Sequence, residues 1–130
     1  MRQLTQCELS SERGLHGDFR GRSANRQVTV LNLDDWREAC SELGVDLPWT
    51  TRRANLLIEG VALFDTAGTS LHLGSAILEI TGETEPCTRM DEYHEGLRGA
   101  LSSAWRGGVC CRVVTGGVLN VGALVNLGSA

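Results

Sequence analysis

The sequence predicts a mostly β protein with two short helices, its strands forming a closed or partly open barrel. Short apolar and β-branched runs follow one another closely after Pro48, a pattern that favours a barrel or strongly bent sheet over an open layered one. Only two stretches place apolar residues on one helical face. A chain of 130 residues with 42% apolar residues, 22% charged residues and 2 Pro has the composition of one ordinary globular domain.

Residues 1–12 are polar and without period, and read as a lead-in or edge strand ahead of a single domain over 13–130. The segment Gly14-Leu-His-Gly-Asp-Phe-Arg-Gly-Arg22 is Gly-rich and reads as a functional loop. Val28–Leu33 reads as a strand, followed by a helix capped by Asn32 or Asp34. Trp36, Ala39, Cys40 and Leu43 fall on one face of that helix, and Gly44 stops it. Strands are expected at 55–59, 61–64, 70–73 and 76–81, with a hairpin turn at Gly74-Ser75. A second helix is expected over 95–105, although Gly96 and Gly99 each weaken it by about 1 kcal/mol. Residues 109–115 and 118–127 read as a closing hairpin about Gly116-Gly117, with Asn120 and Gly122 marking a bulge or second turn.

All 12 basic residues are Arg. Without Lys the chain cannot form a Schiff base, which excludes pyridoxal phosphate, and it lacks the lysine of a phosphate-binding P-loop. Arginine forks instead suit phosphate and carboxylate groups. The net charge of -4 argues against a general nucleic-acid binder. No apolar stretch reaches membrane-spanning length and no secretory leader opens the chain, so a cytoplasmic protein with no membrane association is expected. Five Cys, at 7, 40, 87, 110 and 111, form no framework and read as reduced thiols.

Among these, Cys87 stands out. It follows a strand and a stopping Pro86, which puts its thiol on a strand-end loop, with Arg89 able to stabilise a thiolate and Glu83 or Glu85 able to oppose it. A free Cys is most often core filler, and that reading stands beside the functional one. Arg53 and Asn55 alternate onto one strand face, where a guanidinium and a carboxamide suit a ligand bearing charge and a polar heterocycle edge. An ordinary solvated strand start is the plainer reading, and Asp18, Arg20 and Arg22 share it. Adjacent Cys110 and Cys111 point to opposite faces of a strand and so make a poor metal pair. His16, His72 and His94 have no partner spacing, and a Cys87/His94 hydrolase pair lacks an orienting third group.

Taken in order, Gly14-Leu-His-Gly-Asp18, the strand and helix over 28–44, Arg53-Ala-Asn55-Leu-x-x-Glu59-Gly60 and Glu85-Pro-Cys87-x-Arg-Met-Asp91 resemble the MOSC domain. This module is named for the C-terminal part of molybdenum cofactor sulfurases. The resemblance runs from about Arg13 to Leu127. It implies a compact barrel-like fold that cradles molybdopterin, with Cys87 as the molybdenum ligand and the reacting centre, a thiolate being a suitable soft donor. Arg53 and Asn55 match the family's Arg-Pro-Asn signature with Ala54 in place of Pro, and Asp18, Arg20, Arg22, Thr88 and Arg89 complete the implied cofactor-binding set. Arg20 stands where the family often has His.

The resemblance further implies reduction of N-hydroxylated small molecules with electrons from a separate redox protein, since no ferredoxin-like cysteine set is present. It also implies that the N-terminal barrel domain of larger reductases is missing. A non-catalytic carrier, holding the cofactor or a persulfide sulfur on Cys87 for delivery to a protein partner, is the alternative from another class. A barrel that binds some other anion is the third. Whether the chain is an enzyme is left open by its residues.

Overall fold

The computed structural model describes residues 6–10, 14–15, 28–52, 54–120 and 125–128. Gln6–Ser10 (β1) lies within the expected lead-in and pairs antiparallel with Gly14–Leu15 (β2), the first two residues of the expected loop. Its other edge takes Gly117–Asn120 (β8), completing a three-stranded sheet. A six-stranded sheet holds Leu56–Ile58 (β4), Val28–Asn32 (β3), Val109–Thr115 (β7), Ala76–Glu83 (β6), Ser70–Leu73 (β5) and Val125–Gly128 (β9), in that spatial order. All its pairings are antiparallel except that of β3 with β4.

β3 ends where Asn32 turns from strand to cap. Its side-chain oxygen accepts the Asp34 amide at 3.0 Å, and its Nδ2 donates to the Val61 carbonyl at 2.6 Å. Leu33 therefore opens the helix Leu33–Leu43 (α1) rather than closing the strand. Gly44, at φ 68°, lets the chain leave in the left-handed region while its amide caps the last turn. Trp36 is buried beneath α1 and its Nε1 donates to the Leu47 carbonyl at 2.8 Å.

Among the described residues three α-helices stand where two were expected. Arg89–Tyr93 (α2) is an added short turn, and the second expected helix is confined to Leu97–Ser102 (α3) before a 3₁₀ turn over Ser103–Trp105. The strand expected at 61–64 is absent. That stretch is a turn in which Thr66 Oγ1 donates to the Leu63 carbonyl at 2.6 Å, and Asp65 takes a φ of 55°.

The closing hairpin also fails to form. β6 lies along one edge of β7 and β3 along Val109–Cys111 of the other, and the residues after Gly116 pair with other strands. β8 joins β1, and β9 joins the free edge of β5. The Gly74-Ser75 turn between β5 and β6 forms as expected.

β3 is buried on both faces. Val28 and Val30 enter a core with Leu71, Leu78, Ile80 and Cys111, whereas Leu31 joins Trp36, Ala39, Met90, Leu97 and Leu101 under the helices. The register of β6 against β7 shifts between Ile77 and Leu78 and again between Ile80 and Gly82. Such bulges bend a sheet and re-aim the residues beyond them. The second one directs the end of β6 toward the loop that carries Cys87.

Candidate functional site

A cleft of about 900 Å³ opens at the end of β6. Its wall includes Glu79, Glu83, Cys87, Thr88, Arg98 and Cys110. Cys87 and Thr88 are exposed there, one residue beyond buried Pro86. The Cys87 carbonyl accepts the Met90 amide at 3.0 Å, so the thiol sits on the turn that starts α2.

Of the residues singled out in the sequence, Cys87 and Thr88 share the cleft with Glu83, Glu85 and Cys110. Arg89 is exposed and is not among its lining residues. Asp18, Arg20, Arg22 and Arg53 lie outside the described residues. Asn55 lies at the start of β4, where its Oδ1 accepts the Thr29 amide at 2.9 Å and the Thr29 hydroxyl at 3.1 Å. That oxygen thus clasps β3 to the segment leading into β4. His94 Nδ1 lies 2.8 Å from the Glu95 carbonyl, and His94 does not line the cleft, so the Cys87/His94 pairing is not assembled.

Two arginines without a family motif to mark them meet the Cys87 loop instead. Arg98 of α3 lines the cleft, and its Nε donates to the Pro86 carbonyl at 3.4 Å. Arg52 donates through Nε to the Gly107 carbonyl at 3.1 Å and through Nη2 to the Thr84 carbonyl at 2.8 Å. The Arg52-Arg53 doublet was visible in the sequence, but which arginine turns toward the loop depends on the fold.

The cleft has an acidic side. Arg112 neutralises Glu79 through Nε at 3.2 Å and Nη2 at 2.9 Å. Glu83 has its carboxyl raised above the ordinary range, first by desolvation and then by neighbouring Glu85, with Arg52 acting against both. Behind it, Cys110 Sγ lies 3.2 Å from Thr84 Oγ1. Cys111 points the other way into the core, where burial pushes its thiol up to about 12. The two neighbouring cysteines do face opposite sides, as expected.

Among the described residues no three His, Cys, Asp or Glu side chains converge to hold a metal ion. A single exposed thiol beside a cleft of this size suits a metal that a cofactor already chelates. Among the described residues no helix is long and apolar enough to cross a membrane.

The family model of the MOSC domain matches residues 16–126. No curated protein sequence matches the chain. Among solved structures, the YuaD protein of Bacillus subtilis superposes with a TM-score of 0.81 at 17% identity, over 99% of this chain and 87% of that one. YiiM of Escherichia coli gives 0.73 at 17% identity, covering 96% of this chain and 63% of its own. YiiM of Geobacillus stearothermophilus gives 0.67 at 18% identity, over 81% and 55%. This chain thus spans less than two thirds of either YiiM protein, and at these identities the likeness is one of fold.

Proposed function

The chain belongs to the MOSC domain family, and from that premise we propose that it binds a molybdenum–pterin cofactor through Cys87 and serves as a minimal oxidoreductase for N-hydroxylated compounds. The observation that carries the reading is the exposed Cys87 thiol at the wall of the 900 Å³ cleft, on the loop that ends β6. When bound, such a cofactor supplies removal of oxygen from an N–O group, with two electrons delivered by a separate redox protein.

The residues of the chain have distinct parts in this proposal. Cys87 gives the thiolate that a soft metal prefers. Arg98, with its Nε on Pro86, presents its terminal guanidinium nitrogens to an oxyanion group of the ligand. Thr88 adds a hydroxyl that can donate or accept. Glu83, raised by desolvation, holds a proton further up the pH scale than an ordinary carboxylate and can donate it to oxygen leaving as water. Asp18, Arg20, Arg22, Arg53, Asn55 and Arg89 remain proposed contacts to the pterin or its phosphate. Asn55 contributes by holding the segment that follows Arg53 against β3.

Metal analysis of protein from a molybdate-fed, cofactor-competent host tests the reading. Molybdenum near one per chain that is lost in Cys87→Ser supports it; equal molybdenum in both proteins overturns it. The exposure of Cys87 also favours a second reading, carriage of a persulfide sulfur for a partner protein. Its signature is a Cys87 peptide one sulfur atom heavier in gently isolated protein, without molybdenum.

A further inference from the structure

Arg52 joins two stretches of backbone that are far apart in the chain. Its guanidinium donates to the Thr84 carbonyl, just past β6, and to the Gly107 carbonyl, just before β7. The two stretches meet with nothing between them. A Cβ on Gly107 would stand 2.9 Å from the Thr84 oxygen, 3.2 Å from Arg52 Nη2 and 3.5 Å from Pro86 Cδ. Thr84 is further held by its amide on the Gly108 carbonyl at 2.9 Å and its hydroxyl at Cys110 Sγ. Pro86 is buried, and Cys87 comes next. The position of the thiol is therefore inherited from Thr84–Pro86, and Arg52 fastens this tripeptide from outside β6, β7 and α3.

We propose that Arg52 is a positioning residue that holds the Cys87 loop at the cleft. The inference gives a role to a residue next to the family signature rather than in it, and its meaning for chemistry rests on Cys87 being the working thiol. The planar fork of a guanidinium reaches two carbonyls at once, which a lysine ammonium on a flexible stem does not reproduce. Binding energy at Cys87 is best used when the thiol is already held in place, because ordering a loose loop would subtract from it.

The experiment uses metal-free protein in which Cys7 and Cys110 are replaced by Ser, Cys110 because it lines the same cleft, and a nitroxide label is attached to Cys87. Cys40 and Cys111 are buried and escape the label. The parent is expected to give a broad, slow spectrum. Arg52→Ala and Arg52→Lys are expected to shorten the label's rotational correlation time several-fold. Added guanidinium ion at low millimolar concentration should restore the broad spectrum in Arg52→Ala, and ammonium should not. Rescue of this kind separates positioning from a general loss of stability. Gly107→Ala, whose methyl would crowd both the Thr84 carbonyl and Arg52 Nη2, should loosen the label without being rescued. Arg52→Lys reads the inference if Arg52→Ala fails to fold.

A spectrum of Arg52→Lys that superimposes on the parent would overturn the proposal. Because no molybdenum is involved, that failure is distinct from the failure of Cys87 as a metal ligand, which the metal analysis reads alone.

Discussion

Asn55 and Thr29 are bonded to each other four times. The Asn55 Oδ1 takes the Thr29 amide and hydroxyl, and the Asn55 amide in turn faces the Thr29 hydroxyl and carbonyl, each at 3.1 Å. The carboxamide that the sequence offers as a ligand contact also clasps β3 to the segment leading into β4. This junction sets the start of the only parallel pairing among the described strands, where a weaker ladder gains most from an extra tie.

Replacing Asn55 by Ala leaves the buried amide of Thr29 without its side-chain acceptor. A loss of about 1–3 kcal/mol is expected, the cost of stranding a buried polar group. Urea unfolding reads it; an unchanged midpoint would remove the clasp from the account.

Gly108 is buried at φ +97°, and a Cβ there would collide with the Val30 carbonyl oxygen. Gly108→Ala adds about 1–2 kcal/mol for the left-handed backbone alone. The collision with β3 comes on top of that. Poor yield of folded protein, or a melting point well below that of Gly99→Ala on the exposed side of α3, is the expected result.

The raised carboxyl of Glu83 makes the folded state hold its proton more tightly than the unfolded chain does. Its contribution is therefore most favourable below the ordinary value of 4.5 and is lost as pH rises through that value to the raised one. Glu83→Gln should flatten the stability curve across that window and leave the protein more stable at neutral pH. Asp35, raised by desolvation and by Glu38, has the same sign and leaves a residual slope. Chemical unfolding at several pH values checks this, and a steeper curve in the variant would contradict it.

The thiols should separate in reactivity. Cys87 is exposed, whereas Cys111 is buried in the core with its thiol pushed up to about 12. Brief alkylation of folded protein at about pH 8 should modify Cys87 and spare Cys111 until the chain unfolds. Peptide mapping by mass spectrometry distinguishes the two sites.

The readings that held were those with local causes. Asn32, the spacing of Trp36, Ala39 and Cys40, and Gly44 lie within one helix, and each acts on backbone a few residues away. The Gly74-Ser75 hairpin and the opposite facing of Cys110 and Cys111 are likewise consequences of short-range geometry. The exposed position of Cys87 followed from the strand before it and the proline that stops it. The closing hairpin, in contrast, looked sound locally and did not form, because its second arm found long-range partners, β1 for β8 and β5 for β9.

By itself the sequence determined the β-rich class, the capped helix, the lack of lysine chemistry and the loop that carries the thiol. Tertiary structure alone decided which arginines serve that loop. Arg52 reaches carbonyls 32 and 55 residues away, and Arg98 reaches Pro86 across 12. Hydrogen bonds act over about 3 Å. No periodicity within a short window can encode partners that strand order and a bulge in β6 bring together only when the sheet has formed.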